Sequence, residues 1–200
     1  MPNHVVRAEY AVRGAIPLRG MEIMNEIKAG KKYPFEKTTQ LNIGNPQSVG
    51  QGVFTFNREV LAGLVHLPLL ADGCNALSVD AKERAKLLSK KCTSPLGAYT
   101  GDSRGYQYVR ECVSDFINKR DGLKGDDMSN YMQVHLTNGA SEAVRLSLMG
   151  VIRNETDGVL VPIPQYPLYS AQLTLQKGLF LPYFLDESKN WGVDIDEIEA

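Results

Sequence analysis

The sequence is short of every pattern that would hold a metal ion or a disulfide framework. Its three cysteines, Cys74, Cys92 and Cys112, are odd in number, widely spaced and without a CxxC pair. That fits free thiols in a reducing compartment. The three histidines, His4, His66 and His135, form no HxxxH or HxH cluster, so no metal site is expected. Long apolar runs are missing too. Runs such as Leu67–Ala71 and Val159–Ile163 fall far short of the roughly 18 residues needed to span a bilayer, and no membrane partner is expected. Neither sign of charge dominates: 22 Lys and Arg against 23 Asp and Glu leave a net charge of −1. Nucleic acid is therefore not an expected ligand. The first 14 residues have no apolar core and little arginine, so neither a signal nor a transit peptide is read there, and a cytoplasmic location is expected. No GxxxxGK[ST] and no GxGxxG occurs; a phosphate would have to be bound another way.

What is present is an ordinary globular composition. Hydrophobic residues make up 43% and charged residues 22% of 200 positions, enough to bury a core without staples. Periodicity predicts helices over Met21–Ala29, Asn57–Leu70 and Ser78–Lys91, the last with Ser78 as a cap. A short strand is read at Leu41–Pro46, running into a Gly-Asn-Pro turn. The stretch Thr93–Gly105 is too polar and glycine-rich for regular structure. Beyond it, Val109, Val113, Phe116 and Ile117 form one helical face that stops at Gly122. Strand–helix–strand–helix–strand follows: Val134–Thr137, a helix from Ala140 or Ser141 to Ile152, Val159–Ile163, a helix from Leu168 to Lys177 ended by Gly178, and Leu179–Leu185. Connections this short imply a parallel sheet with helices on its faces. The last ten residues read as the opening of a helix cut before it completes, which marks the chain as a piece of something longer.

Two places carry chemistry. Asn138-Gly-Ala-Ser141 lies between a predicted strand and helix, where Gly139 allows a tight turn. The amides of Ala140 and Ser141 open the helix, and with the positive end of its dipole and the serine hydroxyl they form a ready anion site, suited to a phosphate. Taken alone, such a turn is more often only a turn and a cap. The second place is Pro162-Ile-Pro-Gln-Tyr-Pro-Leu-Tyr169, directly after a buried strand, where ligands of open α/β sheets collect. Tyr166, held between prolines, is pre-set either to stack on a flat ring or to cap a hydrophobic cluster. Tyr99, in Gly-Ala-Tyr surroundings, either reaches an anion or packs under its loop. The acidic pair Asp126-Asp127 reads as a solvated turn, and His135 as a structural residue within a strand.

Four segments together resemble the N-terminal part of the alanine aminotransferases, a subgroup of the class I/II, fold-type I, pyridoxal-phosphate-dependent family. They are Glu9-Tyr-Ala-Val-Arg-Gly14, Leu41-Asn-Ile-Gly-Asn45, Thr137-Asn-Gly-Ala-Ser141 and the Pro162–Tyr169 run. The likeness covers the chain from about Val5 onward. It implies an α/β fold of type I: an N-terminal arm and small-domain segment over residues 1–56, then a partial large, cofactor-binding domain over 57–200. The resemblance further implies that Ala140 and Ser141 hold the phosphate of pyridoxal 5'-phosphate, and that Tyr166 stacks on its ring. Tyr99 is implied to reach the phosphate of the other subunit of a homodimer, and Gly44 to lie near the substrate carboxylate. The Tyr99–Gly105 loop is one residue longer than the usual family spacing. The Schiff-base lysine comes later in the chain in this family, and no lysine here stands in its Ser-x-x-Lys context, so no catalytic residue is assigned. The implied reaction of the parent protein is amino transfer between L-alanine and 2-oxoglutarate, giving pyruvate and L-glutamate. The alternatives are another transaminase or lyase using the same cofactor, or a non-catalytic fragment that contributes part of a dimer site.

Overall fold

The computed structural model describes residues 1–92 and 95–199. Helices α1 (Asn3–Arg7), α2 (Ala15–Lys28), α3 (Thr55–Val65), α4 (Val79–Lys91), α5 (Gln107–Asp121) and α6 (Ala140–Val151) precede strand β1 (Gly158–Ile163). Helix α7 (Leu168–Gln176), strands β2 (Leu179–Asp186) and β3 (Gly192–Val193) and helix α8 (Ile195–Glu199) follow. The chain divides into two compact units, one of Pro46–Thr137 and one of Met1–Asn45 with Asn138–Ala200.

In the Pro46–Thr137 unit, α3 packs on α4 around Val60, Leu70, Ala81 and Ala85, with Leu64, Leu77 and Leu88 against them. The approach is close because Gly63 has no side chain: a Cβ there would stand 2.7 Å from Leu70 Cδ2 and 3.1 Å from Ala85 Cβ. The helix expected over Asn57–Leu70 begins at Thr55 and stops at Val65, and a 3-10 turn over Leu67–Leu70 takes over. Pro68, which lacks an amide and crowds the preceding turn, accounts for the early stop. Ser78 takes the N-cap position of α4, yet its side chain makes no cap bond and instead donates to the Glu59 carboxylate. Thr93 and Ser94 of the expected irregular stretch lie outside the described residues, and Pro95–Gly105 holds no helix or strand.

Helix α5 departs from its apolar reading. Its buried residues are polar, Arg110, Ser114 and Asn118, one stripe at four-residue spacing, whereas Phe116 is exposed. The stripe binds the backbone of a neighbouring loop. Ser114 Oγ donates to the Ser129 carbonyl at 2.7 Å, and Asn118 Nδ2 donates to the same oxygen at 3.0 Å. Asn118 Oδ1 in turn accepts from the Ser129 amide at 2.7 Å. Gly122, left-handed at φ +65°, closes the helix as expected.

The strand expected at Val134–Thr137 is not formed. Val134 has extended dihedrals, but the segment lies outside the paired strands; the Leu136 amide donates instead to the Arg104 carbonyl at 2.8 Å. His135 is correspondingly an exposed loop residue rather than a strand residue. The strand expected at Leu41–Pro46 is likewise absent. A β-branched or alternating stretch favours extended backbone, but a strand needs a ladder partner.

In the other unit, β1 and β2 pair in parallel from Gly158↔Leu179 to Ile163↔Phe184. Strand β3 adds an antiparallel edge, with Leu185 opposite Val193 and Asp186 opposite Gly192. The sheet is therefore mixed, in the order β1-β2-β3. Helix α7 links β1 to β2 and buries Leu168, Ala171 and Leu173. The residue that ends α7 in the left-handed conformation is Lys177 (φ +61°), not Gly178. Gly178 is required for a different reason: a Cβ there would meet Ile152 Cδ1 at 2.8 Å and Leu173 Cδ2 at 3.2 Å. Among the described residues, no helix is long and apolar enough to cross a membrane.

Candidate functional site

Helix α6 begins at Ala140, as the Asn-Gly turn predicts. Gly139 sits at its N-cap with φ +80° and ψ 173°, a left-handed value that L side chains rarely adopt. Gly139, having no side chain, makes no cap bond of its own to the first turn, and a Cβ on it would meet nothing within 4 Å. Ala140 and Ser141 are both exposed. The α6 entrance is therefore open at the point where orphan amides and the helix dipole favour an anion. Glu142 stands in the same turn, but its carboxylate is bound by Arg145 at 2.9 Å and 2.5 Å. That pair holds Glu142 below its ordinary carboxylate range and offsets its repulsion toward an anion.

Tyr166 follows β1 by three residues and is half exposed. Two rings meet it edge to face: Tyr169, with centroids 6.2 Å apart at 89°, and Tyr10, 6.2 Å apart at 71°. The Tyr10 and Tyr166 hydroxyls are 2.6 Å apart. This hydrogen bond, ahead of desolvation, raises the Tyr10 phenol above its ordinary value. Tyr166, Tyr10, Arg13, Asn42 and Gly44 line one cleft of about 470 Å³. Asn42 Nδ2 donates to the Val12 carbonyl at 2.8 Å, which ties the Leu41–Asn45 segment to the N-terminal one. A Cβ at Gly44 would meet nothing within 4 Å, so the space in front of it is open.

Of the residues singled out in the sequence, Gly44 and Tyr166 thus share a cleft. Ala140 and Ser141 stand at the α6 entrance and are not among that cleft's lining. Tyr99 belongs to the Pro46–Thr137 unit and is fully exposed, at 102%. Tyr10 and Asn42 were not singled out. Both lie in segments that carry the resemblance, but neither residue type announces a role by itself. Only the fold brings Tyr10 to a partner 156 positions away.

The family model for class I and II aminotransferases matches residues 75–200. This chain belongs to the class I and II aminotransferases. The family depends on pyridoxal phosphate. Similar curated proteins include an inactive alanine aminotransferase of Saccharomyces cerevisiae, 43% identical over 98% of this chain and 39% of its own length. Glutamate–glyoxylate aminotransferase 1 of Arabidopsis thaliana is 45% identical over 96% of this chain and 38% of its own length. The mitochondrial alanine aminotransferase 1 of the same plant is 41% identical over 98% and 36%. The chain thus spans about 40% of the length of the curated relatives it matches. An Escherichia coli aminotransferase structure superposes with a TM-score of 0.66 at 23% identity, over all of this chain and 39% of that one. The alanine aminotransferase of Pyrococcus furiosus gives 0.64 at 23% identity, over all of this chain and 40% of that one. The fold is that of the fold-type I aminotransferases.

The residues present fit the family cofactor. A helix entrance with glycine at its N-cap and an exposed serine in its first turn suits a phosphate dianion. A half-exposed tyrosine beside an open cleft suits a flat ring.

Proposed function

We propose that the protein of which this chain is a part exchanges the amino group between L-alanine and 2-oxoglutarate, giving pyruvate and L-glutamate. The observation that carries this reading is the match of nearly the whole chain, 98% of it, to proteins named as alanine aminotransferases at 40–41% identity.

In this reading the amides of Ala140 and Ser141 and the Ser141 hydroxyl bind the phosphate of pyridoxal 5'-phosphate. The Tyr166 ring stacks on the pyridine, with its phenol steadied by Tyr10. When bound, the cofactor supplies the electron sink that transamination needs. Gly44 gives the substrate carboxylate room, because a side chain there would project into open space. Tyr99 serves the neighbouring subunit of a homodimer, a role compatible with its full exposure on a polar loop. The lysine that would hold the cofactor and move the substrate proton lies outside residues 1–200. A cytoplasmic location belongs to the same reading, supported by three unbridged cysteines, and cell fractionation tests it.

A second reading takes glyoxylate as the amino acceptor, favoured by the 45% identity to the Arabidopsis glutamate–glyoxylate enzyme. The test is a substrate panel on the purified full-length protein with added cofactor. Alanine with 2-oxoglutarate should turn over fastest, and residues 1–200 alone should show no turnover. Glutamate with glyoxylate running faster selects the second reading. A full-length protein that binds cofactor without turning over either pair rejects both and leaves another transaminase or lyase reaction with the same cofactor, or a non-catalytic role. For the dimer, Tyr99→Phe paired in mixed dimers with a subunit lacking the cofactor lysine should behave differently from the same two changes placed in one subunit. Equal behaviour removes the cross-subunit role.

A further inference from the structure

We propose that Asp102 is a positioning residue: clamped between Arg104 and Arg110, it fixes the loop that presents Tyr99 to the neighbouring subunit. The inference rests on the Tyr99 role proposed above and assigns the residues that make it work.

Tyr99 is fully exposed, so no packing aims its ring; only the backbone on either side can. On the C-terminal side that backbone is knit around Asp102. Its carbonyl accepts from Thr100 Oγ1 at 2.8 Å and from the Gly105 amide at 3.1 Å. Its carboxylate accepts from the Arg104 amide at 2.9 Å, and from Arg104 Nε at 3.0 Å and Nη2 at 2.7 Å. The same carboxylate takes a 2.7 Å bond from Arg110 Nη2.

Arg110 makes this a fixed anchor. It is 1% exposed, and its other donors reach the Gly105 carbonyl at 3.1 Å and the Tyr131 carbonyl at 3.0 Å. A planar guanidinium satisfied on each edge has one orientation available. Arg104 extends the clamp outward by donating to the Met132 carbonyl at 3.0 Å. The loop closes at Gly105, at φ +107°, with Leu136 packed against it.

Burying an arginine against a carboxylate, here one still 31% exposed, is a poor way to gain stability, because desolvation of the guanidinium consumes much of the Coulomb attraction. What such a pair does well is fix one arrangement among several. Here the arrangement fixed is that of the Tyr99–Gly105 loop, which needs a brace if the exposed Tyr99 is to meet its target.

The test is a set of cofactor-affinity measurements on the full-length protein. Pyridoxal phosphate dissociation is followed by equilibrium dialysis and cofactor absorbance, with dimerisation followed by sedimentation. Asp102→Asn should weaken binding roughly tenfold, and both Asp102→Asn and Arg104→Met should lose almost all effect in a Tyr99→Phe background. Asp102→Asn leaves the buried Arg110 charge without a counterion and can unfold the unit. Arg104→Met, at a side chain 27% exposed, keeps the Asp102–Arg110 pair and should still weaken binding severalfold. A general loss of structure would weaken the wild-type and Tyr99→Phe backgrounds alike, so additive losses overturn the inference. So does unchanged affinity in Arg104→Met while Tyr99→Phe is impaired. A Tyr99→Phe protein that binds as tightly as wild type is a separate result: it removes the Tyr99 role itself, and the inference with it.

Discussion

The hydroxyls of Tyr10 and Tyr166 stand 2.6 Å apart, and their rings meet edge to face at 71°. One tyrosine comes from the N-terminal segment and the other from just beyond β1. The contact sets the attitude of Tyr166 through its oxygen.

Removing the ring should therefore matter more than removing the hydroxyl. Tyr166→Ala in the full-length protein should weaken cofactor binding by several-fold or more, since ring contacts contribute roughly 0.5–1.5 kcal/mol beyond area. Tyr166→Phe should lose less. Equal dissociation constants for the two variants would show that the ring does not stack.

On the proposed reading, Ser141→Ala deletes a neutral hydroxyl that donates to the cofactor phosphate. The expected cost is on the order of 1.5–3 kcal/mol, or roughly tenfold to a hundredfold in cofactor affinity. Cofactor dissociation compared with wild type measures it, and an unchanged constant would take Ser141 out of the phosphate site.

Gly105→Ala should destabilise the Pro46–Thr137 unit. The backbone at φ +107° strains any L side chain, and the new Cβ would meet Leu136 Cδ1 at 2.6 Å. Strain of this kind costs roughly 1–3 kcal/mol, and the clash adds to it. Denaturant unfolding of wild type and variant reads the difference; coincident midpoints would contradict the loop geometry.

Glu26 gives a prediction in acid. Its carboxylate takes hydrogen bonds from Lys31, at 2.5 Å, from Tyr33 and from Arg19. These hold it down at about 2, against an ordinary 4.5. Because the folded value is depressed, the stabilisation is complete above pH 4.5 and is lost as pH falls toward about 2. Side-chain carboxyl chemical shifts followed from about pH 6 to about pH 2 should put the Glu26 midpoint near the low end. A midpoint at its ordinary value would mean that these contacts are not held in solution.

The sequence announces elements whose cause is local. The α6 start is legible because Asn-Gly followed by small residues and a periodic apolar run is a turn, a cap and a helix in one. The β1–α7–β2 unit is legible because Gly158, the apolar run after it and the helix that follows punctuate themselves. Val134–Thr137 misleads because its residue types favour extended backbone, while strand pairing depends on a partner elsewhere. Helix α5 misleads in the opposite sense. Its apolar residues define a face, but the Ser129 and Tyr131 backbone groups need partners, and the stripe of Arg110, Ser114 and Asn118 meets that need. Lys177 and Gly178 exchange roles for a related reason. Glycine is the usual left-handed stop, yet here the crowding by Ile152 and Leu173 claims it, and the stop falls one residue earlier. The Tyr10–Tyr166 bond could not be read at all, since no local pattern encodes a contact between ends of the chain.

Strand β1 has a neighbour on one side only among the described residues. Its other flank offers a row of backbone donors and acceptors along Gly-Val-Leu-Val-Pro-Ile, a segment without charge, with Leu160 half exposed. Pro162 removes one donor from that row but leaves most of the edge able to template another strand. Made by itself, residues 1–200 would carry a sticky, aggregation-prone border. Its colloidal behaviour would then be governed by how well that border is shielded.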